Sequence, residues 1–137
     1  MGKIFTHRLR VRYSECDAQG IVFNGHYLFY LDVALTEWWR EAFGSYQVVV
    51  DKGFDVVLAE TTLRYRSGAR FDELLDVSLW VTKLGNTSVQ VAFEFRTEDR
   101  LCGEGEARYV LVDPQTTQKK PMSDELRETL TGYLPAT

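Results

Sequence analysis

Polar and apolar residues alternate along most of this chain, and the points where the alternation stops mark its elements. In the first extended segment Phe5, His7, Leu9, Val11 and Tyr13 fall on one face. Thr6, Arg8, Arg10 and Arg12 fall on the other, which is the period of a strand. From Tyr27 to Phe43 the period lengthens. Tyr27, Leu31, Ala34, Leu35, Trp38 and Ala42 recur at helical spacing, and Gly44 supplies a C-terminal stop. Phe29, Tyr30, Val33 and Trp39 widen that stripe, so the predicted helix is apolar around much of its circumference and must be wrapped. Four more alternating runs follow. Val57, Ala59, Thr61, Leu63 and Tyr65 make the first; Leu75, Val77, Leu79 and Val81 make the second. After a Gly85-Asn86 turn come Val89, Val91, Phe93 and Phe95. A turn from Glu98-Asp99 to Gly103 then leads into Ala107, Tyr109 and Leu111. Ser123 suits the cap of a short terminal helix, with Asp124 and Glu125 in its first turn.

Strand, long helix, four strands and a small helix make an α+β fold. Long strands joined by hairpin turns form an antiparallel sheet with one covered face. One helix covers five such strands only if the sheet curls around it. That arrangement is the hotdog fold: a five-stranded curved antiparallel sheet wrapped around one long central helix, with a short C-terminal helix. At 137 residues, positions 1–137 are expected to form one hotdog domain. A hydrophobic content of 45% excludes a disordered chain, and a net charge of −4 argues against a broad nucleic-acid surface. Cys16 and Cys102 have no framework or CxxC spacing, so both are expected as reduced thiols of a cytoplasmic protein, with no metal. The N-terminal alternation lacks the apolar core of a signal peptide, and no run is long enough for a membrane span.

The connection between the first strand and the helix, Glu15 to His26, breaks this economy. An Asp before Gly suits a turn, Asn24 suits a helix N-cap, and His26 suits a first-turn position. Together they also fit chemistry. A helix N-terminus presents unpaired amides and the positive end of a dipole, which suit a carbonyl oxygen gaining charge. Gly20 and Gly25 let a substrate approach the backbone, and Asp17 lies seven residues before Asn24. A carboxylate that attacks or activates water, opposed to such amides, serves acyl transfer. A carboxylate is a weak base, so an activated acyl group such as a thioester is the expected substrate. Cys16 has no His–Asn pair in sequence to activate it.

The stretch YSECDAQGIVFNGHYLFYLDVALTEW resembles the active-site segment of the hotdog acyl-CoA thioesterases of the 4-hydroxybenzoyl-CoA thioesterase class, which includes the Tol–Pal-linked enzymes. Asp17, Gly20, Ile21 and Val22 fit its D-x-x-G-[IV]-[VI] pattern. ETTLRYRSGARFDELLDVSLWVTKLGNTSV and GEGEARYVLVD resemble its later strands. The resemblance implies hydrolysis of an acyl-CoA thioester, with no cofactor, since CoA belongs to the substrate. Asp17 would be nucleophile or general base, and the Asn24 amide would polarise the thioester carbonyl. Tol–Pal-linked members carry His where this chain has Asn24, and the aromatic acyl-CoA enzymes often have Tyr there. Gly20, Gly25, His26 and Tyr27 would line the substrate. The resemblance further implies a homodimer joined edge to edge, paired into a homotetramer, with Glu60, Thr61 and Thr62 bordering the partner's Asp17. Lys83, Thr87 and Ser88, with Arg64 and Arg66, would meet the CoA nucleotide. Two alternatives stay open: a hotdog module that binds acyl thioesters without turnover, and a hotdog dehydratase, for which Asp17 and His26 are a poor pair.

Overall fold

The computed structural model describes residues 2–135. The chain forms strand β1 (Phe5–Arg10), a 3-10 turn (Tyr13–Glu15), helix α1 (His26–Phe43) and helix α2 (Tyr46–Asp51). Strands β2 (Asp55–Tyr65), β3 (Leu74–Leu84), β4 (Ser88–Arg96) and β5 (Leu101–Val112) follow, and helix α3 (Asp124–Thr131) ends it. All strand pairs are antiparallel in the order β1-β3-β4-β5-β2, which leaves β1 and β2 as edges.

The sheet curves around α1. Leu75, Val77, Leu79 and Val81 of β3 and Val89, Val91, Phe93 and Phe95 of β4 all face a single buried core. Tyr27, Tyr30, Leu31, Ala34, Leu35, Trp38 and Trp39 of α1 fill it. Register shifts at Leu58/Glu60, Val81/Lys83 and Phe95/Arg96 place bulges in three strands, and bulges sharpen local twist. Gly44, at φ 96°, ends α1 where an L side chain would be strained. Ser45 then caps α2 by accepting from the Val48 amide, and Ser123 caps α3 by accepting from the Leu126 amide.

Several expectations change. Tyr13 does not share the buried face of β1, because the strand stops at Arg10 and the 3-10 turn swings the ring into solvent. Phe29 and Val33 are exposed, so the apolar stripe of α1 is narrower than its composition implies. The bulge at Ala59 breaks the alternation of β2, and Val57 and Tyr65 lie open on this edge strand. The turn before β5 is shorter than expected: Thr97 donates to the Arg100 carbonyl and pairing resumes at Leu101. The missed residues are Cys102, Gly103 and Gly105, a small thiol and two glycines with no side chain, which give no apolar signal though all three are buried.

Gly105 shows why. A Cβ there would run into the Thr62 carbonyl oxygen and sit 2.9 Å from the Phe93 ring. Gly105→Ala is therefore expected to lower stability by about 1–3 kcal/mol, the usual cost of overpacking. Urea unfolding measures this directly, and a midpoint equal to the parent's would contradict the packing described.

Candidate active site

After β1 the chain stays paired to the segment that precedes β3: the Val11 amide donates to Glu73 O and the Asp72 amide to Val11 O. The 3-10 turn then delivers a tight loop. A bridge between Cys16 and Val22 closes its neck, and the Asp17 amide donates to Ile21 O at 2.9 Å. Gly20, at φ 79°, donates back to Asp17 O at 3.0 Å, a turn that needs its left-handed backbone. Asp17 accepts the Gln19 amide at 2.8 Å through Oδ1, which fixes the carboxylate at the loop's tip.

This loop lies over the first turn of α1. Gly25 occupies the cap position, and no side chain caps the helix, so Asn24 is not the N-cap. Among the described residues the amides of Asn24, Gly25 and Tyr27 have no acceptor. Unpaired amides at a helix start attract negative charge. The Asn24 carbonyl is engaged, accepting from Tyr65 Oη at 2.8 Å, which ties the turn to the end of β2. Asp17, Asn24, Tyr27, Tyr65, Ser67 and Gly68 line one cleft of about 360 Å³. Asp17 and Asn24, whose amide has no acceptor, thus line a common space.

Glu15 holds the two halves together. Its backbone carbonyl accepts the Phe23 amide at 2.9 Å. Its carboxylate accepts Tyr30 Oη and the Arg12 amide, both at 2.8 Å, and lies 3.3 Å from His26 Nε2. Burial alone would raise this carboxyl's pKa, but the Arg12 amide, the Tyr30 hydroxyl and His26 outweigh it and hold the group below the usual carboxylate range. Cys16 behaves oppositely. Burial, with Glu15 and Asp17 nearby, pushes its thiol up, which disfavours a nucleophilic thiolate.

Of the residues singled out in the sequence, Asp17, Asn24, Tyr27 and Arg66 line this cleft. Gly20 lines an adjoining hollow, and Gly25 sits behind Phe23. His26 is turned onto Glu15, with its ring against Phe29 and Tyr30. Glu60 and Thr62 line a separate hollow with Thr82, Glu106 and Arg108, and Thr61 Oγ1 donates to Glu106 O. Arg64 pairs with Glu106 and Arg66 with Glu104. Lys83, Thr87 and Ser88 stand at the far end of β3 and β4, roughly 30 Å along the sheet from the start of β3. They do not join the Asp17 cleft within one chain. The residues that sequence reasoning missed are Glu15, Tyr65 and Ser67. Glu15 carried a signal, an acid two positions before Asp17, whereas Tyr65 read only as a strand residue. A larger hollow of about 740 Å³ beside β1 contains Arg8 and Arg10, but Asp76 and Asp72 already hold them. Among the described residues no group of three or more His, Cys, Asp or Glu is placed to hold a metal, and no helix is long and apolar enough to cross a membrane.

Comparison with known proteins gives consistent matches. A family model described as the thioesterase-like superfamily matches residues 11–130. The acyl-CoA thioester hydrolase YbgC of Escherichia coli is 30% identical over 112 residues, which cover 81% of this chain and 84% of that protein. The crystal structure of a hypothetical protein from Aquifex aeolicus, AQ1494, superposes with a TM-score of 0.85 at 26% identity, covering 92% of this chain and 98% of that one. A 1,4-dihydroxy-2-naphthoyl-CoA thioesterase from Synechocystis shares the fold, with a TM-score of 0.82 at 18% identity over 94% of this chain and 96% of its own.

The lowered pKa of Glu15 fixes the sign of a pH effect. Its folded value lies below its unfolded one, so its stabilisation is complete above the unfolded pKa and is lost as pH falls through the folded one. At pH 7 Glu15→Gln should cost about 1.5–3 kcal/mol, the range for hydrogen bonds to a charged group. That gap should shrink as pH falls below about 4.3, the value for a free Glu. Urea titrations at a series of pH values test this; a constant gap down to acid pH contradicts it.

Proposed function

The chain belongs to the thioesterase-like superfamily, and on that premise we propose that it hydrolyses acyl-CoA thioesters, with Asp17 as the reacting carboxylate. The observation that carries this reading is the shared cleft of Asp17 and the unpaired Asn24 amide. The thioester carbonyl lies between them, its oxygen toward the amide. As the carbonyl carbon becomes tetrahedral, its oxygen gains charge, and a fixed amide at a helix N-terminus stabilises that charge more than the neutral ground state. Asp17 supplies the electron pair, by direct attack or by taking a proton from the attacking water. The carbon–sulfur bond breaks and the CoA thiolate takes up a proton; on the water route the attacking oxygen completes the carboxylic acid, and on the direct route a water cleaves the Asp17–acyl anhydride, releasing the acid and restoring the carboxylate. A thiolate leaves readily, so one carboxylate and one oxyanion site suffice, and no further cofactor takes part.

The apolar part of the cleft, with Ile21, Val22, Tyr27 and Tyr65, suits the acyl group. The free edge of β2 supports a homodimer. Val57, Leu58 and Tyr65 are exposed along it, as are Leu28, Phe29 and Val33 on the outer face of α1. An unpaired strand edge beside apolar surface is a ready joining surface. Pairing two β2 strands would bring Glu60–Thr62 of each chain toward the neighbouring active site, and two such dimers would give the tetramer.

Asp17→Asn should keep its fold while thiol release from acyl-CoA falls by about 10³-fold or more, as loss of a nucleophile or base commonly does. Asn24→Ala retains the backbone amide, so its rate should stay within about threefold of the parent, far from the roughly 10²–10³-fold loss of an oxyanion donor. A thiol-release assay across short, long and aromatic acyl-CoA esters reads both. Full activity in Asp17→Asn would remove the proposal, and tight ester binding without thiol release by the parent would replace it with a binding module.

For the assembly, sedimentation should give a dimer or tetramer, and Leu58→Asp should shift it toward single chains. A parent that sediments as a monomer at micromolar concentration would rule the edge pairing out.

A further inference from the structure

The turn that leads into α1 is closed by one hydrogen bond of its own: the His26 amide donates to Phe23 O at 2.9 Å. Asn24 and Gly25 are its two central residues. Gly25 has φ −69° and ψ −18°, so the turn is type I and continues into the right-handed backbone of the helix. A second form is open to the same four residues. In a type II turn the central peptide is turned over, and the third residue takes a positive φ that favours glycine. Gly25 occupies that third position, so its own stereochemistry does not hold the peptide between Asn24 and Gly25 one way up.

Which way up that peptide lies matters to the reaction. As the turn stands, the Gly25 amide continues the run of amides at the open end of α1, beside that of Asn24, and neither has an acceptor among the described residues. The C=O and N–H of a trans peptide are antiparallel, so a flip exchanges the two. It would turn the Asn24 carbonyl oxygen to the side from which the Gly25 amide now points. The negative end of a peptide dipole would then stand one residue from the Asn24 amide, where the thioester oxygen gains its charge.

The Tyr65 hydroxyl opposes that flip. It donates to Asn24 O at 2.8 Å, the one hydrogen bond that Asn24 makes among the described residues, since its amide and its side chain have no partner there. The phenol is itself anchored. Tyr65 ends β2 opposite Gly103, and its ring meets the buried ring of Tyr27 edge to face at 5.7 Å. Tyr65 is nevertheless 52% exposed, so core packing does not account for it. We propose, resting on the thioesterase reading above, that Tyr65 is a positioning residue for the hydrolysis. Its hydroxyl latches the Asn24–Gly25 peptide in the type I form and so keeps a carbonyl dipole away from the oxyanion. Through this bond the edge strand β2 acts on the reaction by way of Asn24.

The test removes the hydroxyl alone, as Tyr65→Phe, in the parent and in a Gly25→Ala background. Alanine disfavours the positive φ of the flipped form. Its Cβ would stand 3.1 Å from Cε2 of Phe23, whose exposed ring has room to turn aside. In the parent, Tyr65→Phe should lower kcat for thiol release by about tenfold or more while KM stays within about twofold. In the Gly25→Ala background the same change should lower kcat by less than about threefold, a coupling that independent sites do not show. A phenol that only contacts the acyl group would raise KM instead, and one that only braces the fold would cost the same in both backgrounds. Either result overturns the proposal, as does an unchanged kcat in the parent background. A second readout needs no substrate. The flip brings the Asn24 Hα close to the Gly25 amide proton, so the nuclear Overhauser contact between them should strengthen in Tyr65→Phe and weaken again when Gly25→Ala is added. If the parent releases no thiol from any ester, the hydrolase reading fails separately. The contact then decides the latch: a stronger one in Tyr65→Phe supports it, and one unchanged from the parent overturns it.

Discussion

The first turn of any α-helix carries amides with no carbonyl four residues behind them, and in this chain that turn begins under the lip of a curled sheet. Satisfying those amides with a cap would close the site. The chain instead places Gly25 at the cap position, uses the Asn24 carbonyl to hold Tyr65, and leaves the amide of Asn24, which lines a cleft, without an acceptor among the described residues. The rest follows from keeping that opening stable. The core must grip α1 firmly enough that its terminus does not fray, which is the work of Trp38, Trp39 and the apolar faces of β3 and β4. The loop bearing Asp17 must also be strapped down, and Glu15 does this through Tyr30, His26 and the Arg12 amide.

This division of labour explains what could be read from the sequence. Elements with a clean period were legible: α1 from Tyr27 onward, β4 throughout, and β3 as far as its bulge after Val81. Asp17 and Asn24 were legible as an acid and an amide at a helix mouth, because polar, Gly-rich chain before an apolar helix is costly unless it has a use. Elements whose signal lies in small residues or in sheet geometry were not. Gly103 and Gly105 are buried strand residues that look like turn residues, and the bulge at Ala59 shifts a face without changing any letter. Tyr65 could not be linked to Asn24, since 41 residues separate two groups that only the closed sheet brings together.

The charges follow the same logic. Most arginines are held by nearby acids, some of them across neighbouring strands, as with Arg8 and Asp76 or Arg64 and Glu106, and exposed pairs of this kind contribute little stability. Their effect is to leave a surface with few free cations despite its many arginines. Among the described residues Arg12 and Arg70 are the arginines with no side-chain partner.

The central claim is that the open Asn24 amide, just before the cap of α1, polarises a thioester carbonyl held against Asp17. Its most direct measurement is the infrared carbonyl stretch of a carbonyl-labelled acyl-CoA bound to the Asp17→Asn protein, compared with the same ester free in water. A shift to lower frequency on binding is the predicted result, since a hydrogen bond from a fixed helix amide lengthens the C=O bond. A bound ester whose carbonyl absorbs at or above its frequency in water would contradict it.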